Sequence, residues 1–235
     1  MELLLLSSSR TPAGYFTDYL LAIKDFSAGT RRAVFLPFAA VALPWDEYAA
    51  KVSEAIGLSL HPAEELDGAD LIVVGGGNTF HLLRECRLRG LLGLMRARVR
   101  EGKARYLGWS AGANLACPTI KTTNDMPIVD PGGLEALGLL PFQINPHYVN
   151  VTLAGHHGET RNERLAEFAR ANPGLSVIGL PEGDWLRVSG SSVELHGAHP
   201  AAWFDGEKVA LRIEPGGPTP FGDSLWRFRS PDCEK

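Results

Sequence analysis

Short apolar runs alternate with amphipathic segments along most of the chain. Five of these runs end at small or polar residues, and they lie at residues 3–6, 33–38, 71–74, 105–109 and 176–180. Continuous apolar runs of this length are typical of strands buried on both faces of a parallel sheet. Between them, apolar residues recur at helical spacing over residues 45–56, 79–100 and 159–171. The alternation predicts an α/β fold with a doubly wound, mostly parallel sheet and helices on both faces.

The pattern changes after Asp184. Short strand-like segments, separated by Gly, Ser, Pro and Asp-Gly turns, lie at residues 185–188, 192–196, 202–204 and 208–213. They predict a small antiparallel β extension at one end of the sheet. Residues 215–235 are rich in Gly and Pro and are expected to form an irregular tail. Without a repeat or a long linker, the sequence predicts one domain over residues 1–235.

Charge and cysteine content narrow the classes of function. The formal net charge is −4 and no basic cluster is present, so no attraction to nucleic acid is expected. No apolar stretch approaches the roughly 20 residues of a membrane span, and the N-terminal leucine run is too short for a signal peptide. Cys86, Cys117 and Cys233 fit neither a disulfide framework nor a zinc site. We therefore expect a cytoplasmic protein with no metal, no nucleic-acid partner and no membrane.

The segment YLGWSAGAN, at residues 106–114, carries the motif G-x-S-x-G with Ser110 at its centre. An apolar strand precedes it and helix-compatible residues follow, which is the context of a nucleophile elbow. Glycines flank such a serine because side chains would clash in the strained turn. The free backbone N–H of Ala111, at the helix N-terminus, would face a developing oxyanion. The competing interpretation is a Gly-rich turn in which Ser110 caps a helix.

A second oxyanion donor is expected in the segment Gly75-Gly76-Gly77-Asn78-Thr79. It follows an earlier strand and so lies at the same carboxyl edge of the sheet. The backbone N–H groups of Gly76, Gly77 and Asn78 can approach a ligand closely there. Alternatively, Asn78 or Thr79 caps the next helix, and both interpretations can hold together. The run does not match the G-x-G-x-x-G pattern of dinucleotide sites.

A serine nucleophile needs a histidine that accepts its proton. His147 follows an apolar segment and the rigid Pro146, whereas His156 and His157 lie in a Gly-flanked loop. His81 is a further residue for the rim of a site. Position alone leaves the choice between His147 and the loop pair open.

Two acids are candidates to orient the histidine. Glu182 follows the run at residues 176–180, and Asp125 lies on a polar loop after the nucleophile helix. Asp130, before a proline, fits a turn residue. Position does not decide between the first two, because chemistry does not fix the chain order of a triad.

Several segments carry a resemblance beyond the single motif, in the order GGGNTF, GWSAGANLACPTI, TTNDMPIVD, INPH, GETR and LPEG. Together they resemble the α-aspartyl dipeptidases of serine peptidase family S51, and the likeness fades at residues 215–235. It implies a fold similar to class I glutamine amidotransferases, with Ser110 as nucleophile and His147 as base. The implied reaction is hydrolysis of Asp–X dipeptides without metal or organic cofactor. A homodimer is one assembly that the sequence allows.

The resemblance leaves the third triad member open, because the acid of the family corresponds to Asp125 or Glu182. We favour Glu182, since it follows His147 in the chain as the acid follows the histidine in the amidotransferase relatives. For the aspartate side chain we expect a cation, and Arg161 in GETR lies near the start of a predicted helix.

Other interpretations compete with these. Arg161 could be an exposed arginine paired with Glu159 or Glu163. The whole chain could be a cyanophycinase-like peptidase that acts on an aspartyl polymer, or a non-catalytic binding protein on an amidotransferase-like scaffold. A thiol amidotransferase would need cysteine where Ser110 stands, and Cys117 falls inside the following helix, where a small buried residue is expected.

Overall fold

The structure is a computed structural model that describes residues 1–151, 158–206 and 211–216. In chain order its strands are β1 (Glu2–Leu6), β2 (Arg10–Thr11), β3 (Gly14–Tyr15), β4 (Ala33–Leu36), β5 (Leu60–His61), β6 (Leu71–Val74), β7 (Arg105–Trp109), β8 (Gln143–Tyr148), β9 (Val177–Pro181), β10 (Trp185–Ser189), β11 (Ser192–His196), β12 (Ala201–Phe204) and β13 (Leu211–Ile213). Its helices are α1 (Leu20–Ser27), α2 (Trp45–Ile56), α3 (Thr79–Leu88), α4 (Leu91–Arg100), α5 (Ala111–Leu115) and α6 (Arg161–Ala171). In these ranges, no helix has the length and apolar character that a membrane crossing requires.

The central sheet has seven strands in the order β11-β10-β1-β7-β6-β4-β5. Strands β1, β7, β6, β4 and β5 run parallel to one another. Strand β10 pairs antiparallel with β1, and β11 pairs antiparallel with β10. The predicted α/β class with a mostly parallel sheet is confirmed. Because β1, β7, β6 and β4 are parallel, the loops after their carboxyl ends converge at one edge of the sheet, where ligands bind in open α/β sheets.

Both faces of this sheet are buried, which explains the continuous apolar runs. Leu3 and Leu5 of β1 belong to the core that includes buried residues of α3, α4 and α5. Leu4 and Leu6 belong to the opposite core, with α1 and α2. Successive side chains of a strand point to opposite faces, so a strand covered on both sides is apolar at every position.

The C-terminal extension divides between two sheets. Strands β10 and β11 extend the central sheet, but β12 and β13 join β9 and β8 in a separate four-stranded sheet of order β13-β12-β9-β8. The expectation that β9 belongs to the central sheet is therefore wrong. Ile178 and Leu180 of β9 face the large core, and Val177 faces a smaller cluster with α6. The apolar run of β9 indicates that the strand is buried on both faces, but it does not indicate which sheet the strand joins.

The single helix expected over residues 79–100 is two helices. Gly90 lies between α3 and α4 with a φ of 66°, a left-handed conformation that ends a helix. The apolar spacing continues across this break because Cys86 of α3 and Met95 of α4 pack on the same core. Helix α1 and the β2–β3 hairpin were not predicted from the sequence either. The expected irregular tail lies, apart from residues 215–216, outside the described residues, and so does Cys233.

Candidate active site

Ser110 occupies the turn between β7 and α5, so the strand–turn–helix context expected for G-x-S-x-G is present. Its backbone has φ 51° and ψ −113°, a combination that residues with a side chain rarely adopt. The turn is tightly packed, because a Cβ at Gly112 would collide with the carbonyl oxygen of Val74 on β6. Glycine at that position therefore lets α5 start directly against the sheet.

Ser110, His147 and Glu182 form a continuous chain of hydrogen bonds. The Ser110 Oγ lies 2.8 Å from Nε2 of His147, and the Nδ1 of His147 lies 2.6 Å from Oε1 of Glu182. A carboxylate can only accept, so Nδ1 carries the proton that it donates to Glu182, and Nε2 is free to accept from Ser110. The side chains of His147 and Glu182 are 39% and 58% exposed, so water reaches the acid.

Ser7, at the end of the first apolar run, connects these residues to the central sheet. Its Oγ accepts a hydrogen bond from the backbone N–H of His147 at 2.8 Å and donates to the carbonyl of Leu180 at 2.8 Å. His147 itself has φ 53°, and the pairing of β8 with β9 shifts register between Asn145 and Tyr148. The role of Ser7 was not predicted from the sequence, where its only signal is its place at the end of β1.

Asp125 has different partners. Its Oδ2 accepts from the backbone N–H of Thr79 at 2.7 Å, from the Thr79 hydroxyl at 2.6 Å and from the Thr123 hydroxyl at 3.0 Å. These bonds fasten its loop to the first residue of α3. Asp125 lines the same cleft as His147, but no hydrogen bond joins these two described side chains.

The glycine-rich turn after β6 lies against the nucleophile. A Cβ on Gly76 would stand 2.8 Å from the Trp109 ring and 3.1 Å from the Cβ of Ser110. Among the described residues, no acceptor is bonded to the backbone N–H of Gly76 or Ala111. Both groups are therefore available to a ligand at Ser110.

Asn78 acts as a helix cap in this turn. Its side chain accepts from the backbone N–H of His81 at 3.0 Å, and its own backbone N–H donates to the carbonyl of Ala39 at 2.8 Å. The capping interpretation is thus confirmed for Asn78. With its backbone N–H bonded to Ala39 and its side-chain amide donating to the carbonyl of Met126 at 2.9 Å, Asn78 has no free backbone donor for an oxyanion. Gly77, packed closely against Ala39, forms part of the cleft wall.

The cleft above Ser110 has a volume of about 1020 Å³. It opens at the edge of the sheet where the loops after β1, β4, β6 and β7 converge. Its rim includes the exposed apolar side chains of Val41, Leu43 and Ile128, and its lining includes the cations Arg10 and Lys51. The cleft can therefore hold a small molecule with both apolar and anionic groups.

Arg161 begins α6 and is not among the residues that line this cleft. Its guanidinium donates to the side-chain carbonyl of Asn124, next to Asp125. Glu159 pairs instead with Arg164 at 3.8 Å, and Glu163 accepts from the backbone of Thr160. Burial, followed by the nearby Arg164 charge, lowers the pKa of Arg161. In the described part of the chain, this half-buried cation has no acid partner.

The described cysteines are not nucleophiles. Cys86 and Cys117 are buried free thiols, and burial raises the pKa of each to about 12. Since the thiolate is the reactive form, both are inert near neutral pH. His156 and His157, the alternative bases, lie outside the described residues. Within those residues, no group of three or more His, Cys, Asp and Glu side chains is arranged to hold a metal ion.

Comparisons with known proteins identify the family of this chain. The model of peptidase family S51 matches residues 3–196. The chain is 49% identical to peptidase E of Salmonella arizonae and 48% identical to peptidase E of Citrobacter koseri, each over 227 residues, 92% of this chain and 99% of the relative.

Two solved structures share the fold. A putative peptidase E of Listeria monocytogenes EGD-e superposes with a TM-score of 0.62 at 24% identity, over 84% of this chain and 98% of that one. A peptidase from an acI-B1 actinobacterium gives a TM-score of 0.60 at 14% identity, over 92% and 95%. At these identities the structures support the fold alone, but the sequence matches extend over nearly the whole chain. The chain therefore belongs to peptidase family S51 and is a serine peptidase.

Proposed function

We propose that this protein is a dipeptidase that hydrolyses Asp–X dipeptides, with Ser110 as nucleophile, His147 as base and Glu182 as the acid that orients the base. The observation that carries the proposal is the hydrogen-bond chain from Ser110 through His147 to Glu182, at 2.8 and 2.6 Å. This is the arrangement that activates a serine hydroxyl at neutral pH.

In the proposed mechanism, His147 removes the proton of Ser110 as Oγ attacks the scissile carbonyl. The oxyanion of the tetrahedral intermediate accepts hydrogen bonds from the backbone N–H groups of Ala111 and Gly76. His147 then gives its proton to the leaving amine, and the aspartyl group stays on Ser110 as an ester. A water molecule, deprotonated by His147, attacks this ester; the bond to Ser110 Oγ breaks, His147 returns the proton to Oγ, and aspartate is released.

Backbone strain supports the assignment of Ser110 and His147. Among the described residues, non-glycine residues with positive φ are Phe16, Ser110 and His147. Such conformations cost on the order of 1–3 kcal/mol each and persist where the surrounding structure holds them, often at active sites. The bonds from Ser7 and the close contact of Gly112 with β6 provide that support.

Charge complementarity supports an N-terminal aspartate in the substrate. That residue carries an α-ammonium group and a side-chain carboxylate, so its site needs an acid and a cation. Asp125 makes its described hydrogen bonds through Oδ2, which leaves Oδ1 for the ammonium group. Arg161, joined to Asn124 beside Asp125 and without an acid partner among the described residues, would receive the carboxylate.

We also propose that the protein acts in a reducing compartment, the cytoplasm. The support is that Cys86 and Cys117 are free thiols buried in the core. Proteins with such thiols are typical of compartments that keep cysteine reduced.

A panel of dipeptides tests the proposed function. Purified protein should cleave Asp–Leu at least about 10²-fold more efficiently, in kcat/KM, than Asn–Leu, Glu–Leu and Leu–Asp, because the alternatives leave charged groups of the site unpaired or misplaced. The release of free amino acids is measured, with Ser110→Ala protein as the control for contaminating peptidases. Comparable rates across the panel would exclude Asp–X specificity. Faster cleavage of an aspartyl polymer than of Asp–Leu would favour the cyanophycinase-like alternative.

Replacing Arg161 tests the proposed aspartate site. Arg161→Met should lower kcat/KM for Asp–Leu by roughly 30- to 1,000-fold, the effect of about 2–4 kcal/mol when a buried carboxylate loses its charged partner. The loss on Asn–Leu should be much smaller, because the amide carries no charge. Arg164→Met is the matched control, since Arg164 is an exposed arginine on the same helix that pairs with Glu159. Equal losses on both substrates, or full activity on Asp–Leu, would remove Arg161 from the aspartate site.

A further inference from the structure

Two cations in the cleft have no role in the proposed mechanism. Arg10 and Lys51 line the cleft that contains Ser110, and both side chains are exposed. In the described part of the chain, neither forms an ion pair with an acid. Their positive charges are thus available to an anionic group in the cleft.

The two cations have a common neighbour, Tyr15. Arg10 and Tyr15 are directly opposite each other in the β2–β3 hairpin, so their side chains lie on the same face of that ribbon. The Nζ of Lys51 lies 5.1 Å from the centroid of the Tyr15 ring, within the range of a cation–π interaction. Burial raises the pKa of Tyr15, so its hydroxyl stays neutral and does not compensate either cation.

Lys51 is also connected to the oxyanion turn. It lies three residues after Tyr48 on α2, so the two side chains share one face of the helix. The Tyr48 hydroxyl donates to the carbonyl oxygen of Gly76 at 3.1 Å, and burial raises the pKa of Tyr48 so that this donor stays protonated. Gly76 lies in turn against Ser110. The part of α2 that carries Lys51 is therefore anchored to the turn beside the nucleophile.

Arg10 has a corresponding connection to the base. Its hairpin leaves β1 immediately after Ser7 and Ser8, and Ser7 accepts the backbone N–H of His147. The Ser8 hydroxyl donates to the carbonyl of Arg10 at 3.0 Å, which fixes the start of the hairpin. Arg10 thus follows closely in the chain after the residue that holds the backbone of His147.

The charges of the cleft match the two ends of a dipeptide. Asp125 lines the cleft, and Arg161, outside that lining, donates to the side chain of the adjacent Asn124, so an acid and a cation are available for the ammonium and carboxylate of an N-terminal aspartate. Arg10 and Lys51 also line the cleft, and neither forms an ion pair among the described residues. The second residue of a dipeptide, when its side chain is neutral, carries a single charge, the negative α-carboxylate.

We propose that Arg10 and Lys51 bind the free α-carboxylate of the leaving residue and thereby restrict the enzyme to dipeptides. This inference rests on the proposed Asp–X dipeptidase activity. In a longer peptide the same carbon belongs to a neutral amide, and the added residue would lie against Tyr15 and the two cations. Longer peptides therefore lose the charge interaction at this position.

The test compares substrates that differ only in this carboxylate. Asp–Leu and its C-terminal amide, Asp–Leu-NH₂, are suitable because the rim residues Val41, Leu43 and Ile128 are apolar. The wild-type protein should prefer the free acid by about 10- to 100-fold in kcat/KM, as expected for a charge-assisted contact with two cations. Asp–Leu–Leu should be cleaved as slowly as the amide or more slowly.

Removal of the cations should abolish the preference without reducing activity on the amide. Arg10→Gln and Lys51→Met should each lower kcat/KM for Asp–Leu by about three- to tenfold, because exposed charges are partly screened by water. The double variant should treat acid and amide alike, whereas Lys51→Arg should retain most of the preference. Lys24→Met is the matched control, since Lys24 is an exposed lysine on α1 away from the cleft. Added salt should raise KM for the acid by a larger factor than KM for the amide, because only the acid has the additional contact with the two cations.

The outcomes separate this inference from the proposed function. If the wild-type protein cleaves Asp–Leu and its amide equally well, the inference is wrong and the Asp–X activity stands. It is also wrong if the variants lower kcat/KM for the acid and for the amide by the same factor. It is wrong as well if they lose selectivity for aspartate over asparagine, because Arg10 and Lys51 would then contact the other end of the substrate. Cleavage of neither substrate by the wild-type protein would overturn the proposed function and the inference together.

Discussion

Ser110→Ala is expected to lower kcat for Asp–Leu by about 10⁶-fold, the effect that removal of a triad nucleophile has in serine peptidases. The substitution removes one oxygen, whose hydrogen bond in the described structure is to Nε2 of His147. The Ser110 side chain does not cap α5, and alanine has no larger side chain to fit into the strained turn. The unfolding midpoint should therefore move by less than about 2 °C.

Initial rates with Asp–Leu, together with a thermal unfolding curve, check this result. Ser192→Ala is the matched control, because Ser192 is an exposed serine on β11. A kcat of the Ser110→Ala variant within tenfold of the wild type would exclude Ser110 as the nucleophile. A large fall in the unfolding midpoint would assign the loss of activity to the fold and not to the chemistry.

The elbow was the part of the site most accessible to sequence analysis. Its signals are local: a buried strand at residues 105–109, glycines on both sides of Ser110 and small residues at the start of a helix. The structure gives each signal a physical cause, since the helix starts so close to β6 that Gly112 has no room for a Cβ. Local sterics of this kind leave a clear pattern in the sequence.

The second sheet could not be predicted, because an apolar run reports how deeply a strand is buried and not which strand it pairs with. The run of β9 is as continuous as those of β6 and β7, yet β9 pairs with β8 and β12. The break between α3 and α4 was hidden for a similar reason. Both helices present apolar residues to one core, so their spacing continues across Gly90.

The partner of His147 was beyond local analysis as well. Glu182 is 35 positions away in the chain, and it reaches His147 because β8 and β9 are neighbouring parallel strands whose ends meet. The hydrogen bond from the backbone N–H of His147 to Ser7 joins residues 140 positions apart in the chain. Such contacts depend on the order of strands in space, which periodicity and motifs do not contain.

Glu182→Gln is expected to lower kcat for Asp–Leu by about 10²- to 10⁴-fold with little change in KM. The upper value is the effect of the corresponding acid-to-amide change in a buried triad, where the amide favours the wrong tautomer of histidine. A smaller effect is included because 58% of the Glu182 side chain is exposed, and water can partly replace the carboxylate. Glu194→Gln, an exposed acid on β11, is the control for loss of one negative charge.

Asp125→Asn should affect mainly KM, whereas Glu182→Gln affects mainly kcat. An asparagine oxygen can still accept from the backbone N–H of Thr79, so the loop should keep its place on α3. The variant loses the charge that we assign to the α-ammonium group of the substrate, and KM should rise by more than kcat falls. Steady-state kinetics of both variants with Asp–Leu distinguish the two acids. If Asp125→Asn lowers kcat steeply while Glu182→Gln acts mainly on KM, the roles are exchanged, and the 2.6 Å contact of His147 with Glu182 would not be the one used in catalysis.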